Sequence, residues 1–160
     1  RIRLYFDNPA VMGNGPGVEV LPIVEIMLDH LPPGAKPLYS YEAKWIWDDR
    51  AQPIDLLHCP AKVSSALQAE VESICQRAYH ALRCRDWGRI DVRLDAAGRA
   101  HVLEINPLPG ILPDPDAHSA FPLAARTHGL SYAQLIHRVV DLALKRYATE
   151  SPPLLPTEGG

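Results

Sequence analysis

The sequence predicts an α+β fold, and three observations carry that prediction. Residues 89–106 alternate apolar and polar side chains on both sides of an Ala96-Ala97-Gly98 break, the pattern of an antiparallel hairpin. Residues 63–82 place apolar side chains at helical spacing behind a serine, and a second such run starts at Ser131. The chain has 160 residues, one ordinary domain with enough length to bury a core.

In chain order, a short apolar start leads into Ala10-Val11-Met12-Gly13-Asn14, a strand running into a turn. Gly13-Asn14-Gly15-Pro16-Gly17 is turn chemistry and not a phosphate-binding P-loop, because it lacks the lysine and hydroxyl and opens no helix. Val18 to Leu28 reads as a strand in which Pro22 requires an edge or a bulge. His30 to Pro37 is a proline-rich loop, Leu38 to Trp47 a further strand, and Arg50 to Pro53 a mobile loop. The helix from Val63 to Leu82 opens with a Ser65–Gln68 capping box. Its apolar stripe is Val63, Leu67, Val71, Ile74, Cys75, Ala78 and Leu82; Glu70, Glu72, Gln76 and Arg77 form a solvated face.

After the hairpin, Ile111 to His118 is a loop whose Asp114, Asp116 and His118 do not complete a zinc ligand set. Leu123 to Thr127 is a short helix ended by His128-Gly129. Ser131 and Gln134 form a second capping box, and Leu135, Ile136, Val139, Val140 and Ala143 form the apolar face of the last helix. His137 and Arg138 face solvent in this reading. Residues 1–149 are expected to be the folded unit and 150–160 a disordered tail.

Composition excludes several function classes. A net charge of -3 leaves no electrostatic footprint for nucleic acid or an anionic membrane. No apolar run approaches the roughly 18 residues that cross a bilayer. Cys59, Cys75 and Cys84 are odd in number and lack metal-ligand spacing, as expected of reduced thiols in a cytoplasmic protein. No signal peptide opens the chain, and a start at Arg1 rather than Met reads as a piece of something longer.

The chemistry concentrates on the hairpin. With a four-residue loop from Ala96 to Arg99, Asp91 lies opposite Glu104 and Arg89 opposite Asn106, all on one face. Directly opposed Cβ atoms are roughly 4.5–5.5 Å apart, where two carboxylates repel. A hard dication such as Mg²⁺ removes that conflict; Asn106 could add an amide oxygen, and Arg89 would hold an anion nearby. The alternative is a solvated polar face whose charges pair with Arg89 and Arg93.

Asp91, Glu104 and Asn106, followed by Pro107-Leu108-Pro109-Gly110, sit downstream of Tyr41-Glu42-Ala43-Lys44 and Cys59-Pro60-Ala61 in one order. This set resembles the C-terminal catalytic half of the ATP-grasp ligases, and within them the D-alanine–D-alanine ligases, over most of residues 10–148. The resemblance implies a mainly antiparallel sheet with packed helices, the C-terminal ATP-grasp subdomain. It implies ATP and Mg²⁺ (or Mn²⁺) as cofactors, and an amide bond formed between two amino acids through an acyl phosphate in peptidoglycan synthesis. Asp91, Glu104 and Asn106 would hold the metal, Lys44 the ATP phosphate, and Arg89 with the Gly110 N–H the charge that develops. Ser119 and Ala120 would receive the second amino acid, with Trp45 beside it where the family usually has Tyr or Phe.

Two departures stand out. Phe6 occupies the place of a family glutamate, and the loop after Asn106 is about four residues longer than in well-known D-alanine ligases. The resemblance also implies missing parts, namely an N-terminal domain and a small ATP lobe of the same enzyme, with a homodimer as one open assembly. The isolated fragment is therefore expected to be inactive. A ligase for other amino acids or peptides and a non-catalytic ATP-grasp scaffold are the competing readings.

Overall fold

The structure is a computed structural model that describes residues 5–6, 9–36, 56–117 and 119–150. Its strands are β1 (Tyr5–Phe6), β2 (Ala10–Met12), β3 (Glu19–Val20), β4 (Glu25–Ile26), β5 (Leu57–His58), β6 (Trp87–Leu94) and β7 (Ala100–Asn106). Its helices are α1 (Ser65–Ala81), α2 (Ala120–Thr127) and α3 (Tyr132–Glu150). All seven strands join one antiparallel sheet with β6 as its spine. One edge of β6 carries β7, while the other is shared by β2 at Trp87–Arg89 and β1 at Val92–Arg93. β3 extends the sheet from β2, and β4 followed by β5 extends it from β1.

The strand expected from Ala10 forms as β2, whereas the single strand expected from Val18 to Leu28 is broken into β3 and β4. Pro9 and Pro22 lack the N–H that a ladder needs, so regular pairing stops beside them. The backbone bridges the gaps singly: Ile90 N–H donates to Pro9 O at 3.1 Å and Leu21 N–H to Ala10 O at 2.8 Å. Between β2 and β3, Gly13 sits at φ +123°, where a Cβ would lie 2.4 Å from Gly17 O. Only glycine makes that turn without displacing backbone.

Period 2 along the strands divides the core between two helical layers. Val11, Ile90, Val92 and Leu94 pack with Val71, Cys75 and Tyr79 of α1. Ala10 and Met12 point the other way and meet Phe121, Ala124 and Ala125 of α2 and Leu135 of α3. Trp87 packs edge-on against Phe121 in that second layer, with ring centroids 5.5 Å apart.

Helix boundaries shift from the expected ones. Ser64, not Ser65, caps α1 by accepting from Leu67 N–H at 3.2 Å, and Gln68 instead donates to Glu72 at 2.8 Å. Tyr79 joins the buried stripe, whereas Leu82 lies past the last turn and is 66% exposed. Two residues of the expected solvated face have partners outside the helix: Glu70 accepts from Ala100 N–H of the hairpin and Gln76 donates to Val18 O. α2 starts at Ala120, three residues early, because Pro122 falls in the first turn, where no N–H is needed. It ends as expected at Gly129 (φ +95°), with Leu130 N–H reaching back to Ala125 O at 2.9 Å.

The capping box of α3 forms in both directions: Gln134 N–H donates to Ser131 Oγ at 3.2 Å and Ser131 N–H to Gln134 Oε1 at 2.8 Å. Leu135 is buried, but Val140 is 49% exposed and Leu142 packs in its stead. Arg138 is not left to solvent, since it pairs with Glu19 of β3. Among the described residues no helix is long and apolar enough to cross a membrane.

Candidate active site

The β6–β7 hairpin brings Asp91 opposite Glu104 and Arg89 opposite Asn106, the expected pairing. The route to that pairing differs. The ladder closes at Leu94↔Ala100, so the loop is the five residues Asp95 to Arg99, one more than expected. A bulge between Asp91 and Val92 on one strand, opposite Leu103 on the other, absorbs the extra residue. Val102 and Ile105 pack toward the α1 core, while Leu103, between them, is 53% exposed. Without the bulge Glu104 would turn to the α1 face, because one residue of slip reverses every side chain.

The loop is built around Asp95. Its carboxylate accepts from Ala97 N–H at 2.9 Å, Arg99 N–H at 3.0 Å and Arg99 Nε at 2.9 Å, and contacts His101 Nε2 at 3.1 Å. These contacts, the Arg99 N–H foremost, hold its carboxyl well below the usual carboxylate range. The loop is thus locked by its own side chain.

At the site, Arg89 donates to both Asp91 oxygens, Nε to Oδ1 at 2.9 Å and Nη2 to Oδ2 at 3.2 Å. Its Nη2 also lies 3.5 Å from Glu104 Oε1. The guanidinium therefore sits between the two acids and offsets their repulsion. Arg89 does pair, as a polar face would have it, but the face is unevenly solvated, since Asp91 is only 3% exposed. Glu104 is the open member, its side chain 62% exposed. Among the described residues no three His, Cys, Asp or Glu side chains group together, so the available donors are two carboxylates and the Asn106 amide. An oxygen-only set of this kind fits a hard cation.

Beyond Asn106 the chain passes through buried Pro109 to exposed Gly110. Ser119, 8% exposed, turns its hydroxyl back on this segment: it donates to Gly110 O at 3.3 Å and accepts from Leu112 N–H at 3.2 Å. Its one proton is committed, so a substrate carboxylate would have to take that bond over. Ala120 is also 8% exposed and begins α2. Asp114 closes a local turn by accepting from Asp116 N–H at 3.0 Å. Lys44, Trp45, the Tyr41-Glu42-Ala43 stretch and His118 lie outside the described residues.

One polar cluster has no counterpart in the sequence reading. Asp86, 9% exposed at φ +63°, accepts from Arg146 Nη2 at 2.7 Å and Nε at 3.1 Å, and from Asn14 Nδ2 at 2.8 Å. Asn14 Oδ1 accepts from Asp86 N–H in return, at 2.9 Å. The Arg146 hydrogen bonds hold the Asp86 carboxyl below its ordinary value. With every partner inside the fold, the cluster ties α3 to the Gly13 turn and the start of β6. A signal existed in the Gly13-Asn14 turn, but the acceptors of Asn14 Nδ2, Asp86 and the Leu142 carbonyl, lie 72 and 128 residues away. Cys59, Cys75 and Cys84 are free thiols, and burial pushes Cys75 up to about 12.

Comparisons with known proteins agree with this architecture. The sequence model of the family described as "D-ala D-ala ligase C-terminus" matches residues 8–141. An uncharacterised protein of Sinorhizobium fredii is 42% identical over 151 residues, covering 91% of this chain and 41% of that protein. A D-alanine–D-alanine ligase of Bordetella petrii is 40% identical over 134 residues, covering 84% of this chain and 36% of the ligase. The chain thus spans about two fifths of the length of the curated relatives it matches. The fold is shared with the crystal structure of the Bacillus anthracis D-alanine–D-alanine ligase complexed with ATP, at TM-score 0.65 and 19% identity, over 94% of this chain and 40% of that one. The match over residues 8–141, with the hairpin and its helices in the same fold, places this chain in the D-alanine–D-alanine ligase family, as the C-terminal part.

Proposed function

We propose that the chain is the C-terminal catalytic part of an ATP-dependent ligase that joins two amino acids through an acyl phosphate. The observation that carries this reading is the rung Asp91–Glu104, with Arg89–Asn106 beside it on the same face. Asp91, Glu104 and Asn106 would hold Mg²⁺, which supplies neutralisation of phosphate charge when bound. The chain's own residues supply the rest. Arg89 offers a planar pair of donors to the phosphoryl oxygens or to the tetrahedral intermediate. The Gly110 N–H donates to the carbonyl oxygen that turns anionic as the amine attacks and phosphate leaves.

In the same proposal Lys44 contacts ATP phosphate, while Trp45, Ser119 and Ala120 border the second amino acid. Since the relatives are more than twice as long, the parts that bind the first amino acid and the far side of ATP belong to a longer parent protein. The 160 residues alone are expected not to turn over. The test is Mg²⁺-dependent ADP formation by the full-length parent with D-alanine and a panel of other amino acids, beside Glu104→Gln. Amino-acid-dependent turnover that Glu104→Gln abolishes supports the ligase. Activity with another amino acid moves the substrate, and no turnover at all sinks the reading in favour of a scaffold.

A further inference from the structure

The segment that follows the hairpin is held by hydroxyls from two distant points of the chain. Ser119 Oγ donates to Gly110 O at 3.3 Å and accepts from Leu112 N–H at 3.2 Å. Tyr132 OH, on the first residue of α3, donates to Ile111 O at 3.2 Å. Two successive peptide groups, Gly110–Ile111 and Ile111–Leu112, are thereby fixed at three of their four polar atoms. On the other side, Pro109 is buried and its ring fixes its own φ. Gly110 lies between these anchors, exposed, and a Cβ there would meet nothing within 4 Å. Among the described residues, the flanking anchors are what restrict its backbone.

We propose that Tyr132 is a positioning residue, whose hydroxyl, together with that of Ser119, sets the direction of the Gly110 N–H. The proposal rests on the ligase reading above, in which that N–H faces the developing oxyanion. A donor contributes to catalysis only when it is already aimed, because reorienting it during the reaction consumes the gain. Tyr132 is well placed for this task. Its helix is anchored by the Ser131–Gln134 capping box, by Leu135 at 0% exposure and by the Arg146–Asp86 bonds. The hydroxyl therefore reaches Ile111 from a rigid base.

The experiment compares wild-type parent enzyme, Tyr132→Phe and Glu104→Gln by steady-state kinetics, urea denaturation and amide exchange at Gly110, Ile111 and Leu112. Tyr132→Phe removes one oxygen and leaves the ring in place. It is expected to lower kcat about tenfold, less than the roughly 10²–10³ that follows removal of an oxyanion donor outright. KM for ATP is expected to hold, the urea midpoint to fall by no more than about 0.7 M, and exchange to quicken at Leu112, whose N–H donates to Ser119 Oγ. Wild-type kcat in Tyr132→Phe, or unchanged exchange at Leu112, overturns the inference while the ligase reading stands on Glu104→Gln. A wild-type parent that forms no ADP with any amino acid overturns both.

Discussion

The two acids of the site make unequal contributions to the fold, which separates their structural role from their chemical one. Glu104 has a side chain 62% exposed and lies 3.5 Å from Arg89 Nη2. Coulomb's law in water gives about 1 kcal/mol at that distance, and exposed pairs retain about 0–1 kcal/mol after side-chain ordering. Glu104→Gln is therefore expected to cost less than about 0.5 kcal/mol. Asp91 has a side chain only 4% exposed and holds Arg89 through two bonds of 2.9 and 3.2 Å. In Asp91→Asn one carboxylate oxygen becomes an NH₂ group that faces the guanidinium donors. One charge-assisted bond is lost without recovered hydration, a cost of about 1.5–3 kcal/mol. With a urea m-value of about 2 kcal/mol/M, that lowers the midpoint by roughly 1 M, against about 0.2 M for Glu104→Gln. The assay is urea denaturation at pH 7 of wild type and both variants. Equal midpoints for the two variants would refute the view that buried Asp91 carries the Arg89 pair.

Two further outcomes follow from the cluster at Asp86 and from the Gly13 turn. The Arg146 bonds depress the Asp86 carboxyl in the folded state, so its contribution is present above the unfolded value of about 3.9 and is lost as pH falls through the lower folded value. Urea midpoints measured from pH 6 down to pH 2.5 should fall below about pH 4. Arg146→Met should flatten that fall, and an unchanged acid limb in the variant would count against Arg146 as the cause. Gly13→Ala forces a Cβ into 2.4 Å contact with Gly17 O at φ +123°. A loss of at least about 1 kcal/mol is expected, since Ala at positive φ costs more than the 0.4–1 kcal/mol scale of tolerated changes; thermal melting checks it.

Local pattern alone made much of this protein legible. The alternation of Ile90, Val92 and Leu94 marked a half-buried strand, and the opposition of Asp91 to Glu104 came with the hairpin. The Ser131–Gln134 box opened its helix, and Pro107–Gly110 with its neighbours carried the family resemblance. These features lie within a few residues of one another or repeat at a period the backbone imposes. Tertiary structure decided the rest. The Leu103 bulge corrects for a turn one residue longer than expected, and no spacing in the sequence distinguishes that pair of changes from none. Arg89 between the acids, Arg138 on Glu19, Asn14 and Arg146 on Asp86, and Tyr132 on Ile111 join residues brought together only when the sheet and helices assemble. A charged side chain carries no mark of its distant partner. Burial of the apolar faces chooses the partner by fixing where each side chain emerges, and at this hairpin it leaves two carboxylates, an amide and an arginine on one face.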